Sequence, residues 1–150
     1  MNEKSNYIDI YTDGACSNNP GVGGWGAVLL YKNNKKEIFG SQKDTTNNRM
    51  ELKAVIEALG HIKSTSIKIR VFTDSVYVKD GISKWIESWK NNGWKNSNKK
   101  PIKNIDLWKE LDEVSKKFII EWIWVKGHNG NQYNEIADSL ARKGCELLLK

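Results

Sequence analysis

The chain has 150 residues, the size of one ordinary core, and 24 Lys+Arg against 18 Asp+Glu give it a formal charge of +6. No apolar run approaches the ~18 residues of a membrane span, and the opening MNEKSNY lacks the apolar centre of a signal peptide. A single domain over residues 1–150, cytoplasmic and monomeric, is the expectation. Two cysteines, Cys16 and Cys145, stand far apart without metal-ligand spacing, so neither a zinc site nor a disulfide framework is suggested.

Alternation of apolar and polar residues predicts strands over 7–13, 23–31 and 36–42, joined by Asn/Pro/Gly-rich and Asn/Lys-rich turns. TTNNRMELKAVIEALGHIK follows as a helix capped by Asn47 or Asn48 and ending near Gly60. A fourth strand is predicted over 67–73 and a short helical stretch over 75–80. Two further helices bracket a Gly/Asn/Lys-rich loop with Pro101 near its far end. FIIEWIWVKG reads as a fifth strand, and QYNEIADSLARKGCELLLK as a closing helix. Three hairpin strands followed by alternating strands and helices predict an α/β (α+β) architecture, a mixed sheet with helices on its faces.

The first and fourth strands end alike, in YTDG and FTDS. By parity Tyr11 and Asp13 share one face, as do Phe72 and Asp74, so pairing of these strands would bring the two aspartates together. Each also has a plain structural reading: Asp13-Gly14 is a common turn pair, and Asp74 could cap the helix after it. Glu51 could complete a capping box with Asn48. Its helix, however, puts Ala54, Val55, Ala58 and Ile62 on the side of Glu51, so the carboxylate faces the core. Asp138 borders a stripe of Ile136, Ala137, Leu140, Leu147 and Leu148. Ionised carboxylates at a helix–sheet boundary are costly unless a cation joins them. An all-oxygen set suits Mg²⁺, with Mn²⁺ as a substitute, better than zinc. Four carboxylates suffice for two such ions, an arrangement used in phosphodiester cleavage.

Seven stretches in order, YTDGACSNNPGVGGWGAVL, TTNNRMEL, FTDSVYV, GISKWIESWKNNGWK, KKPIKNIDLW, WVKGHNG and NEIADSLA, resemble bacterial-type ribonuclease HI over almost the whole chain. The resemblance implies the ribonuclease H-like fold, a five-stranded mixed sheet flanked by helices. It also implies hydrolysis of the RNA strand of an RNA–DNA hybrid, with Asp13, Glu51, Asp74 and Asp138 as catalytic, metal-holding carboxylates. His128 falls on the family's mobile histidine, which assists proton transfer or product release. The metal mechanism it implies leaves 5′-phosphate and 3′-hydroxyl ends. A metal-free route through the 2′-hydroxyl commonly needs two positioned histidines, and the chain has only His61 and His128.

Residues 84–103 carry Lys84, Lys90, Lys95, Lys99, Lys100 and Lys103 against one acid, Glu87, with Trp85, Trp89 and Trp94 between them. The tryptophans read as a small aromatic core, and the lysines as phosphate contacts. By resemblance this is the basic handle of bacterial enzymes, and Trp85 matches a position near the DNA channel. Asn19, Thr46, Asn47 and Asn48 match substrate-contacting positions, where short amides suit 2′-hydroxyls of a wide minor groove. Val76 stands where bacterial relatives usually have glutamine. Two rival readings stay open on the sequence: a hybrid-binding module without catalysis, and another nuclease of the same superfold, such as a junction resolvase.

Overall fold

The computed structural model describes residues 6–18, 20–95, 98–100, 102–126 and 131–149. Strands β1 (Ile8–Cys16), β2 (Gly21–Tyr31) and β3 (Asn34–Thr45) form an antiparallel meander. Then follow α1 (Asn47–Gly60), β4 (Ile69–Thr73), α2 (Val76–Asp80), a π-helical turn (Gly81–Trp85), α3 (Ile86–Asn91), α4 (Ile105–Ser115), β5 (Ile120–Trp124) and α5 (Gln132–Leu149). The sheet order is β3-β2-β1-β4-β5, with β4 parallel to both of its neighbours. This is the five-stranded mixed sheet read from the sequence.

Strand parity decides which layer each side chain joins. Ile8, Ile10, Ile69 and Val71 turn to the face covered by α1 and α4, where they meet Leu52, Val55, Trp108 and Leu111. Tyr11 and Val28 turn to the opposite face and meet Ala137 and Leu140 of α5. Each fully buried Leu, Val or Ile contributes about 1.5–3 kcal/mol of burial free energy, so the three helices are held to the sheet chiefly by these apolar faces. Leu147 departs from the predicted stripe: at 52% exposure it lies outside the core. The buried face of α5 runs instead through Ala137, Leu140, Ala141, Gly144 and Cys145.

Two caps also correct the sequence reading. Thr46, extended at φ −132° and ψ 166°, caps α1, its hydroxyl accepting from the Arg49 N–H at 3.2 Å. The expected caps, Asn47 and Asn48, are inside the first turn. Ser75 caps α2, its hydroxyl accepting from the Val78 N–H at 3.1 Å, so Asp74 has no capping task. The helix after β4 also runs on through the π-helical turn into α3 rather than stopping at Asp80. The strands over 67–73 and 118–127 are shorter than read, at Ile69–Thr73 and Ile120–Trp124.

The tryptophans pack on one another as a corner of the main core rather than as a separate one. Trp89 lies 5.7 Å from Trp85, 6.5 Å from Trp94 and 5.4 Å from Trp108, centroid to centroid. Trp108 is fully buried and donates its indole N–H to the Tyr77 hydroxyl at 2.9 Å.

Candidate active site

Two glycines let the helix layers reach the end of β1. A Cβ on Gly14 would stand 2.6 Å from the Glu51 backbone nitrogen, so α1 closes on the strand only because that atom is missing. Gly26, paired with Asp13 across the β1–β2 ladder, does the same on the other face, where a Cβ would stand 2.6 Å from the Ala137 carbonyl oxygen. Glu51 thus arrives from one helix layer and Asp138 from the other, both at the tip that carries Asp13. Asp74 follows directly on β4, whose parallel register places Phe72 beside Tyr11.

The resulting cavity, about 440 Å³, is lined by all four carboxylates together with Asn47 and Asn48. Oxygens of Asp13, Glu51 and Asp74 lie within 4.8 Å of one another. Asp13 is 4% exposed and Glu51 5%. One oxygen of Asp13 accepts from the Gly14 N–H at 2.9 Å, while Oε1 of Glu51 is buried without a hydrogen-bond partner. Burial, the Asp74 charge and a hydrogen bond with Asp138 push the Asp13 pKa up to about 8. Glu51 is raised well above the ordinary carboxylate range, again first by burial and then by Asp13 and Asp74. A divalent cation would remove both the repulsion and the orphaned oxygen, so the donor set fits a hard ion.

Asp138 meets the group through Asp13. It is not among the three mutually close carboxylates, and Arg142 holds it at 2.9 Å across one helical turn. The i,i+4 spacing of that pair is visible in the sequence once the helix is recognised.

A second interaction has no such signal in the sequence. Arg49 grips Asp106 with two guanidinium bonds, 2.9 and 2.6 Å, and donates to Asn104 Oδ1 at 3.2 Å. Asn104 in turn donates to the Tyr77 hydroxyl at 2.9 Å. The first turn of α1 is thereby tied to α4 and α2, two residues before Glu51. The same pair holds Asp106 below its ordinary pKa through the Arg49 hydrogen bond.

The remaining predicted residues fall into four groups. Asn47 and Asn48 line the acidic cavity, and Thr46 anchors the helix that carries them. Trp85 packs on Trp89 and on Tyr77, which also lines the cavity. Lys90, Lys95, Lys99 and Lys100 are all exposed, and Lys90 is drawn to Asp112 at 3.2 Å and Glu87 at 3.7 Å. Asn19 and His128 lie outside the described residues. His61 is exposed at the end of α1, its Nδ1 2.9 Å from the Glu57 carbonyl oxygen, and takes no part in the site.

The family model for RNase H matches residues 5–146. This chain belongs to the ribonuclease H family. The Ribonuclease H of Wolbachia pipientis wMel is 59% identical over 136 residues, covering 91% of this chain and 93% of its own. Among solved structures, LC9-RNase H1, a type 1 RNase H with the type 2 active-site motif, has a TM-score of 0.83 at 33% identity, covering 97% of this chain and 75% of that one. A foamy viral protease-reverse transcriptase in complex with RNA/DNA hybrid has a TM-score of 0.76 at 26% identity, covering 93% of this chain and 20% of that one. Ribonuclease H membership makes the chain a nuclease, a hydrolase of phosphodiester bonds.

Proposed function

We propose that this ribonuclease H cleaves the RNA strand of RNA–DNA hybrids, with two Mg²⁺ ions held by Asp13, Glu51, Asp74 and Asp138, and leaves 5′-phosphate and 3′-hydroxyl ends. The observation that carries the reading is the orphaned Glu51 oxygen inside a set of carboxylates within 4.8 Å of one another. Bound divalent ions would supply Lewis-acid stabilisation of charge on phosphate oxygens and would lower the pKa of a water so that, having lost its proton, it can attack phosphorus. Mn²⁺, with similar oxygen preferences, substitutes.

The side chains divide the remaining work. Asp13, Glu51 and Asp74 hold their oxygens on one side of the scissile phosphate, and Asp138, in contact with Asp13, completes the set. Asn19, Asn47 and Asn48, with Thr46 as the cap beneath them, face the minor groove, where 2′-hydroxyls mark RNA. Trp85 and the lysines at 90, 95, 99 and 100 receive the DNA strand through its phosphates. His128 moves a proton to the leaving oxygen or clears the product. The protein works as a cytoplasmic monomer, and no protein partner is required for cleavage.

The test offers labelled RNA–DNA hybrid, RNA duplex, DNA duplex and a four-way junction, each with Mg²⁺ and with EDTA. Cleavage of the hybrid alone, dependent on Mg²⁺, is expected. Ends bearing a 2′,3′-cyclic phosphate would contradict the metal mechanism, and cleavage of the junction would move the protein to a different substrate class.

A further inference from the structure

Strand β5 ends beside the acidic cavity. Trp124 pairs in register with Thr73, the residue before Asp74, and the Val125 N–H donates to the Thr73 carbonyl at 2.9 Å. The indole belongs to the edge strand of the sheet and is 39% exposed. Beside it opens a cavity of about 270 Å³ walled by Val78, Ile82 and Trp122. The Lys79 ammonium lies 4.9 Å from the Trp124 ring centroid. Among the described residues no carboxylate pairs with Lys79. Three residues before it, Val76 is 54% exposed and lines the acidic cavity. From the carboxylates outward the surface is therefore apolar, then cationic, then aromatic.

We propose that Trp124 and Lys79 form a binding site for an unpaired nucleotide of the RNA strand where that strand leaves the hybrid. A base with no pairing partner is free to turn out and stack on a side chain. An aromatic face flanked by a cation holds single strands without regard to sequence, the cation turning to the phosphate while the ring takes the base. Position selects the strand: Val76 of α2 lines the carboxylate cavity and Lys79, one turn further along, reaches the indole, so the chain that passes from the carboxylates to the indole is the strand being cut, RNA rather than its DNA complement. The inference rests on the hybrid reading above and adds a preference: hybrids with a protruding RNA tail are held more tightly than blunt ones.

The test is equilibrium binding in EDTA, where no cleavage occurs, read by fluorescence anisotropy. The probes are a blunt hybrid and the same hybrid with a short unpaired tail on the RNA strand, at either end, or on the DNA strand. An RNA tail at one end is expected to tighten binding about tenfold, the scale of one stacked base. Trp124→Ala and Lys79→Ala should remove that gain and leave blunt-hybrid affinity unchanged, and Trp124→Phe should keep most of it. Equal binding of blunt and RNA-tailed hybrids, an equal gain from a DNA tail, or a gain that survives Trp124→Ala would each overturn the proposal. Failure of the wild-type protein to bind the blunt hybrid would instead overturn the hybrid reading itself, and the tail site with it.

Discussion

Tyr11 and Phe72 lie face to face, ring centroids 4.4 Å apart and planes within 6°, two residues below Asp13 and Asp74 on adjacent parallel strands. The stack acts as a spacer, since strands joined at one level keep the same separation two residues further on. Phe72→Ala is expected to cost about 2 kcal/mol, less than a fully buried aromatic because Phe72 is half-buried. It should also weaken Mg²⁺ binding, because Asp74 is no longer held beside Asp13. Denaturant titration and calorimetric metal titration read the two effects separately. Unchanged metal affinity would show that the backbone ladder alone sets the spacing.

The raised pKa of Asp13 fixes the sign of a pH effect. Its ordinary value is 3.8 and its folded value about 8, so between those limits the native protein binds a proton that the unfolded chain has released. Stability from this group is full below the lower limit and is lost as the pH rises through the upper one. Glu51 acts in the same direction. The metal-free protein should therefore melt at progressively lower temperature from about pH 5 to about pH 9. Asp13→Asn should flatten that decline, raise metal-free stability at the alkaline end by about 2 kcal/mol and abolish cleavage. Melting curves across pH decide it, and a variant that unfolds would return Asp13 to a structural role.

Gly14 should tolerate no side chain. A methyl group there meets the Glu51 nitrogen at 2.6 Å and the Met50 carbonyl carbon at 2.7 Å, both backbone atoms that cannot rotate aside. Gly14→Ala is expected to push α1 off the strand end at a cost of about 1–3 kcal/mol. Cleavage should fall further than stability alone explains, since Glu51 moves with the helix. The control is Gly60→Ala: nothing lies within 4 Å of a Cβ there, and activity should be unchanged.

The exposed lysines should govern affinity without governing chemistry. Replacing Lys95, Lys99 and Lys100 by glutamine is expected to weaken hybrid binding and to reduce the slope of log K against log salt by about 0.9 for each phosphate that is no longer neutralised. Turnover at saturating hybrid should be preserved. Lys90→Gln should weaken binding less, since Asp112 and Glu87 already share its charge. A fall in saturated turnover for the triple variant would contradict the division between handle and catalytic site.

The element order and the four acids were legible because each rests on a short-range pattern. Period two set the strand faces, the 3.6-residue repeat put Glu51 on the buried side of α1, and the repeated aromatic-Thr-Asp ending gave the pairing of Asp13 with Asp74. The helix starts were less legible. Thr, Ser, Asn and Asp all satisfy an N-terminal N–H, so TTNN and TDS each offered several caps, and the choice fell to Thr46 and Ser75 through backbone angles that composition does not reveal.

By itself the sequence determined the sheet, the family and which four acids line one cavity, since these follow from local periodicity and from the order of motifs along the chain. Only the tertiary structure decided that Arg49 reaches Asp106 across 57 residues and that Lys79 lies over Trp124. Both depend on how separate elements pack, α1 against α4 and α2 against β5. Such distances arise from packing in three dimensions, which no one-dimensional spacing encodes.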